Sequence, residues 1–296
     1  MSDKIPVLFI VGPTAVGKTA YAIELAKRVN GEIVSADSRY FYRGMDIGTA
    51  KPSKEEQQGV PHHLIDVADP DETWSLAIFR QAADEAIRDI HARGKLPIVA
   101  GGTGQYVRAV LEGWSVPEGE PDLRLRQAIE SWGNSVGAEE LHRKLSLLDP
   151  AAAEKIEWQN MRRTVRALEV IFSSGRLFSE QRTVKESPYA ATVIGLRRNR
   201  EELYRRIDLR VDLMLRAGFV EETAKLLAQG YGPELPSMSA IGYKEICAYL
   251  RGELPLDEAA QLIKFRTHNY VRRQANWFKE SDPSIHWIDL SEENNG

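Results

Sequence analysis

The sequence predicts an α/β protein, a P-loop NTPase-like core with a mostly parallel sheet and a helical insertion domain. Three observations predict it. An apolar run at residues 5–11 leads straight into a glycine-rich turn and then into an amphipathic helix. Short apolar segments then alternate with helical segments, the pattern of βα units around a parallel sheet. From residue 117 to about 187 only helical segments appear, before residues 192–196 (TVIGL) return to strand character.

The elements follow in order. Residues 5–11 are continuously apolar, as expected of a central strand covered on both faces. Residues 19–29 carry Ala22, Ile23, Leu25, Ala26 and Val29 at helical spacing. Residues 32–37 are a second strand and residues 63–67 a short third. Ser75 caps a helix running to about Arg93, and Gly94 stops it. Residues 96–100 form a fourth strand closed by Gly101-Gly102, followed by a helix over 104–111. Residues 117–121 (PEGEP) read as a linker. Residues 123–132, 138–148, 151–156 and 161–173 are predicted helices of the insertion. Helices resume from Arg200 to the region of Lys279, residues 285–290 are a last edge strand, and the polar tail from Ser291 frays. The domains are then 1–116 with 191–296 as the core, and 117–190 as the insertion.

Composition bounds the function. The chain has 296 residues, 43% apolar and 28% charged, with a formal net charge of -4. No global basic field advertises nucleic acid, so any such binding must come from local strips. The single cysteine, Cys247, can form no disulfide within the chain and no cysteine-based zinc site, which fits a reducing cytoplasm. The first apolar run is too short for a signal peptide or a spanning helix, and no later one suits a membrane.

Gly12-Pro13-Thr14-Ala15-Val16-Gly17-Lys18-Thr19 matches the eight-residue phosphate-binding loop in its proper setting, strand before and helix after. The glycines let backbone N–H groups turn toward phosphate oxygens, and the helix N-terminus adds a favourable dipole. Lys18 would neutralise the terminal phosphates and the Thr19 hydroxyl would ligate Mg²⁺. An ordinary glycine-rich turn is the bland alternative. The motif fixes the group bound, not the reaction: ATPases, kinases and diphosphate-using transferases stay open. Asp37 ends the second predicted strand, where open parallel sheets bind ligands. It suits a general base, a Mg²⁺ ligand or a cap of its own turn.

The ordered set of segments Asp37 to Lys51 (DSRYFYRGMDIGTAK), Pro61 to Asp66, Gly101 to Tyr106, Ile241 to Glu245 and Arg272-Arg273-Gln274 to Trp277-Phe278 resembles the bacterial tRNA dimethylallyltransferases, the isopentenyl-tRNA transferases known as MiaA. The resemblance runs from about Val7 to Lys279. It implies transfer of the dimethylallyl group of dimethylallyl diphosphate to N6 of the adenosine 3′ of the anticodon in tRNA, with Mg²⁺, by a monomer. It implies that the loop, Gly12 to Thr19, holds the donor diphosphate, and that Asp37 is the general base. Lys18 and Thr103 join it in catalysis, with Arg210, favoured slightly over Arg206, as the channel arginine. It further implies that tRNA meets Asp37, Ser38, Arg39, Tyr40 and Thr103, then Gln159, Asn160, Met161, Arg162 and Arg163 of the insertion, then Arg272 and Arg273.

Some positions depart from the family. Tyr40 stands where a glutamine that contacts the base is usual, which leaves stacking as its expected role. Phe41 replaces a valine and Gln105 a leucine, and His268-Asn269 stands where arginines are usual. Phe41 reads as core. Since a stacked adenine cannot react, the target base must be flipped out.

Residues 259–279 contain no acid but carry Lys264, Arg266, His268, Arg272, Arg273 and Lys279 among Phe265, Tyr270, Trp277 and Phe278. Such a basic helix with aromatics suits RNA, while a solvated amphipathic helix is the bland reading. Arg162, Arg163 and Arg166 suggest that the insertion clamps the anticodon stem-loop. His62 and His63 lack a third ligand, so no transition metal is assigned. A small-molecule kinase, a free-nucleotide isopentenyltransferase and a non-catalytic RNA-binding module are the competing readings.

Overall fold

The computed structural model describes residues 4–114, 122–181 and 187–291. The chain divides into two compact units, Met1–Leu111 with Ser187–Gly296, and Glu112–Glu186. Six strands build the first unit: β1 (Ile5–Val11), β2 (Gly31–Ser35), β3 (His62–His63), β4 (Leu96–Ala100), β5 (Tyr189–Arg197) and β6 (Ile285–Asp289). Between β1 and β5 it carries α1 (Lys18–Val29), α2 (Leu76–Ala92) and α3 (Gly104–Leu111). The second unit consists of α4 (Leu123–Val136), α5 (Ala138–Leu148), α6 (Pro150–Ala153), α7 (Met161–Ser174) and α8 (Phe178–Gln181). The first unit resumes with α9 (Arg200–Arg216), α10 (Phe219–Ala228), a 3₁₀ turn at Ser237–Ser239, α11 (Tyr243–Leu250) and α12 (Leu256–Gln274).

The strands form one parallel sheet in the order β3-β2-β4-β1-β5-β6. Alternation explains the unbroken apolar strand sequences. Val7, Phe9 and Val11 join one core layer with Val34, Val99 and Phe79. Leu8 and Ile10 face the other with Ile33, Ile98, Ile23 and Ile207. Both faces are thus buried, which permits no polar alternation. β1, flanked by β4 and β5, delivers the glycine-rich loop at its carboxyl end.

The sequence overestimates β3. Its pattern predicts extended backbone over residues 63–67, but only His62 and His63 pair, with Ile33 and Val34. Leu64 and Asp66 adopt left-handed backbone, φ 61° and 56°, which turns the chain off the sheet edge. β5 begins at Tyr189 rather than 192, because Tyr189 to Ala191 pair with Ile5 to Val7. The joint between the units falls correspondingly early. The helix expected at 151–156 is confined to Pro150–Ala153, capped by Asp149. The expected linker, residues 117–121, lies outside the described residues. The Ser75 cap is present, its Oγ accepting the Ile78 N–H at 3.2 Å.

The second unit has its own core of Ile129, Leu141, Leu145, Ile156, Val165 and Leu168. Its described residues contain no strand.

Candidate active site

The loop between β1 and α1 is shaped by conformations that its sequence makes possible. Gly12 has φ 147°, and a Cβ there would lie 2.5 Å from the Leu196 carbonyl oxygen, so only glycine fits against β5. Gly17, at φ 111°, starts α1. Arginines from the other side hold the loop's carbonyls: Arg206 Nε donates to Ala15 O at 2.8 Å and Arg198 Nε to Val16 O at 2.9 Å. Lys18 Nζ donates to Pro13 O at 2.8 Å. Desolvation pushes its pKa down to about 8, against the raising influence of Asp37 and with the lowering influence of Arg210.

Asp37 lies just beyond the end of β2. Its Oδ1 accepts the Arg39 N–H at 3.0 Å, so it does cap its own turn. Its other oxygen faces Gly102, where an added Cβ would lie 3.9 Å from Oδ2 and 3.6 Å from Lys18 Nζ. Thr103 supports the same turn: its hydroxyl accepts the Ser38 N–H at 3.1 Å and donates to Ser38 Oγ at 3.3 Å. Loop, carboxylate and threonine line one cleft of about 1660 Å³ together with Arg210, Arg206, Tyr270 and Arg273. Val211, Met214, Ile241 and Ile263 give it an apolar wall. Arg206 thus binds the loop backbone, while Arg210 lies near enough to Lys18 to lower its pKa.

Two expected RNA residues have partners inside the first unit. Arg39 Nη1 donates to Pro236 O at 3.1 Å and Ser237 O at 3.2 Å. Tyr40 does not stand out as a stacking platform. Its hydroxyl donates to Ala50 O at 2.9 Å and meets the Thr19 hydroxyl, and burial pushes the phenol's pKa up. Phe41 is fully buried against Trp74, Phe79 and Tyr106, as expected of core.

The segment from Gly44 to Lys51 is scaffolding for the cleft wall. The Glu222 carboxylate accepts the N–H groups of Asp46, Ile47 and Gly48 at 2.9, 2.7 and 3.0 Å, and the Tyr243 hydroxyl at 2.6 Å. The buried Lys51 ammonium binds Tyr42 O, Asp46 and Asp66. His63 faces the buried Glu32, whose carboxyl is held well below its usual range chiefly by Arg93, with help from Lys95 and His63.

The basic helix α12 is less free than its composition suggests. Lys264 pairs with Asp212 at 2.7 Å and Arg266 with Glu245. His268 stacks on Tyr204, ring centroids 4.1 Å apart. Arg272, hydrogen-bonded to Asn269, and Arg273 are exposed near its end. In the second unit, Asn160 caps α7 by accepting the Arg163 N–H at 3.2 Å, and Met161 packs on that unit's core. Gln159, Arg162 and Arg163 are exposed. Arg166 pairs at 3.0 Å with the buried Glu169, which Arg126 also holds at 2.9 Å.

One residue of the site enters the sequence reading only as part of the Arg272-Arg273-Gln274 segment, with no role of its own. The Gln274 side chain, 7% exposed, accepts the Thr14 N–H at 2.8 Å and donates to Gly102 O at 2.8 Å. The Tyr270 hydroxyl meets it and Thr103. Gln274 stands in a motif whose arginines draw the eye.

A parallel sheet whose first strand ends in this loop, with a lysine, a threonine and a strand-end acid facing one cleft, defines an enzyme of the P-loop class. The chain belongs to the IPP transferase family, whose model matches residues 40–281, while an isopentenyl transferase model matches residues 5–69. It is 51% identical over 292 residues to a tRNA dimethylallyltransferase of Thermomicrobium roseum, covering 99% of this chain and 88% of that one. It is 52% identical over 275 residues to one of Roseiflexus sp., covering 93% and 90%. Among solved structures it is similar to a full-length tRNA isopentenylpyrophosphate transferase of Bacillus halodurans, with TM-score 0.72, 44% identity and coverage of 97% and 91%. It is also similar to a eukaryotic dimethylallyltransferase acting on tRNA, with TM-score 0.83, 30% identity and coverage of 97% and 74%.

Proposed function

We propose that this enzyme transfers the dimethylallyl group of dimethylallyl diphosphate to N6 of the adenosine 3′ of the anticodon in tRNA. The observation that carries the reading is the cleft itself. A diphosphate-binding loop with Lys18 and Arg210 lies at one end, Asp37 and Thr103 lie beside it, and an apolar wall is available to the prenyl group. In the reaction the donor C–O bond breaks and its electrons leave on the diphosphate. Lys18, Arg210 and the loop N–H groups stabilise that charge. The N6 lone pair forms the new C–N bond, and the proton that N6 sheds goes to Asp37 Oδ2, the oxygen not used by Arg39.

The site suits Mg²⁺ in the form that hard cation prefers. Among the described residues no three or more His, Cys, Asp or Glu side chains gather to hold a metal. A closed protein cage is therefore not offered, and the Thr19 hydroxyl is the group of this chain that would hold the ion at the donor site. When bound it neutralises the leaving diphosphate. Among the described residues no helix is long and apolar enough to cross a membrane. The proposed tRNA substrate is what assigns the enzyme to the cytoplasm.

A kinase reading would make ATP the phosphoryl donor and leave the apolar wall without purpose. A free-nucleotide acceptor would leave the exposed arginines of the second unit without purpose. Incubation with labelled dimethylallyl diphosphate and tRNA, AMP or ATP separates these readings: label is expected in tRNA alone. Lys18→Ala and Thr19→Ala should abolish transfer. Normal single-turnover rates in either variant, at saturating donor and Mg²⁺, would remove the role given to the loop.

A further inference from the structure

We propose that Gln274 is a positioning residue for the diphosphate site, acting through the Pro13–Thr14 peptide on Lys18; this rests on the donor reading of the loop. The Pro13 carbonyl and the Thr14 N–H belong to one planar peptide unit. Its oxygen receives Lys18 Nζ at 2.8 Å, and its N–H is received by Gln274 Oε1 at 2.8 Å. The two bonds fix opposite ends of the same plane. Rotation of that plane would carry the carbonyl away from Lys18 and swing the N–H with it.

The Gln274 amide is itself fixed. Its Nε2 donates to Gly102 O at 2.8 Å, so an acceptor faces one end and a donor the other. Only one orientation of the amide satisfies both. Burial makes this exclusive, since the side chain is 7% exposed and an unpaired polar atom there has little water to turn to. A Cβ on Gly102 would come within 2.8 Å of Nε2, so the close approach of the amide also depends on glycine at 102. Gln274 thereby ties the end of α12 to the turns after β1 and β4. It decides which way the Pro13–Thr14 peptide of the loop points before a diphosphate arrives.

An amide that neither touches phosphate nor carries charge affects the donor only through the loop. Replacement by methionine removes both of these hydrogen bonds, and the contact with the Tyr270 hydroxyl, at similar volume. Replacement by glutamate keeps an acceptor for Thr14 but opposes Gly102 O and sets a negative charge behind the loop. The experiment measures inorganic pyrophosphate binding to wild type, Gln274→Met and Gln274→Glu, with thermal unfolding and tRNA binding measured in parallel. Gln274→Met should bind pyrophosphate about threefold to tenfold more weakly, the loss expected when a typical hydrogen bond goes. Gln274→Glu should bind it at least about tenfold more weakly, as a hydrogen bond opposed by charge requires. Affinity for tRNA should stay within about twofold in both, while kcat/KM for the donor falls by at least the factor lost in pyrophosphate affinity. A purely structural glutamine would lower the melting temperature in both variants and leave pyrophosphate affinity alone. Wild-type pyrophosphate affinity in a folded Gln274→Met, which removes the Thr14 acceptor and adds no charge, would overturn the proposal, and Gln274→Leu, equally without an acceptor, gives the same reading if the methionine variant fails to fold. Transfer of label from dimethylallyl diphosphate to tRNA by the wild type, assayed separately, checks the underlying reading by itself.

Discussion

Asp37 Oδ1 accepts the backbone N–H of Arg39 at 3.0 Å, which leaves Oδ2 turned toward Gly102 and Lys18. The two oxygens of one carboxylate thus have different tasks. Asparagine can retain the first through its carbonyl oxygen, but its NH₂ group cannot accept a proton where Oδ2 stood. Asp37→Asn is therefore expected to keep its melting temperature and its tRNA affinity, while the single-turnover rate falls by about 10²-fold or more. Asp37→Ala should lose the turn's cap as well and melt earlier. If Asp37→Asn bound tRNA poorly yet reacted at the normal rate once bound, the carboxylate would be a positioning group and not the base.

Lys18 gives the donor site a pH dependence of known sign. Desolvation brings its pKa from an ordinary 10.5 to about 8. Between these values the unfolded chain holds more protons than the folded one, so the free enzyme gains stability from this group as pH rises through the window. Diphosphate binding works in the opposite direction, because it favours the charged ammonium. The donor dissociation constant should be flat below about pH 8 and rise by up to about tenfold per pH unit above it. Lys18→Arg, charged throughout, should remove the break. Donor titrations at several pH values check this, and a flat wild-type profile would mean that the ammonium stays protonated in the free loop.

Tyr40 offers a test on its hydroxyl alone. The phenol donates to Ala50 O at 2.9 Å, so its lone pair is available to the Thr19 hydroxyl beside it. A Thr19 proton directed there leaves the threonine oxygen's lone pairs for a cation. Tyr40→Phe preserves the ring but not this arrangement. The Mg²⁺ concentration for half-maximal donor binding should rise by about twofold to tenfold, the range of one ordinary hydrogen bond. Affinity for tRNA should hold. A Tyr40→Phe variant with unchanged Mg²⁺ dependence, set against a Tyr40→Ala variant with weakened tRNA binding, would restore the stacking role.

What the sequence reveals is whatever is local in it. Strand, glycines, lysine and threonine of the loop lie within a few residues, and Asp37 is reached by reading to the end of one strand. The third strand is overestimated because the left-handed turns at Leu64 and Asp66 have no glycine to announce them. The role of Gln274 is hidden for a different reason: its partners lie 260 and 172 residues away. The charge of α12 is legible, but the acids that engage it come from α9 and α11, so the sequence alone makes Lys264 and Arg266 look free for RNA.

The same lesson alters what the insertion's arginines should do. Arg162, Arg163 and Arg166 have near-helical spacing on α7, and the sequence treats them as one phosphate-binding group. Arg162 and Arg163 are exposed, while Arg166 is drawn to Glu169, a carboxylate only 1% exposed that needs its cations. Removing one arginine–phosphate ion pair should lower the salt slope of single-stranded RNA binding by about 0.7. Arg162→Ala and Arg163→Ala should each produce that drop and weaken tRNA binding most at low salt, with dimethylallyl diphosphate binding and melting temperature unchanged. Arg166→Ala should behave differently. It leaves Glu169 to Arg126 alone, so the melting temperature falls while the salt slope moves little. The measurement is a tRNA titration at several salt concentrations for each single variant, paired with thermal unfolding. An unchanged slope in both Arg162→Ala and Arg163→Ala would mean that the second unit does not hold the RNA backbone through this helix, and the clamp assigned to it would have to be given up.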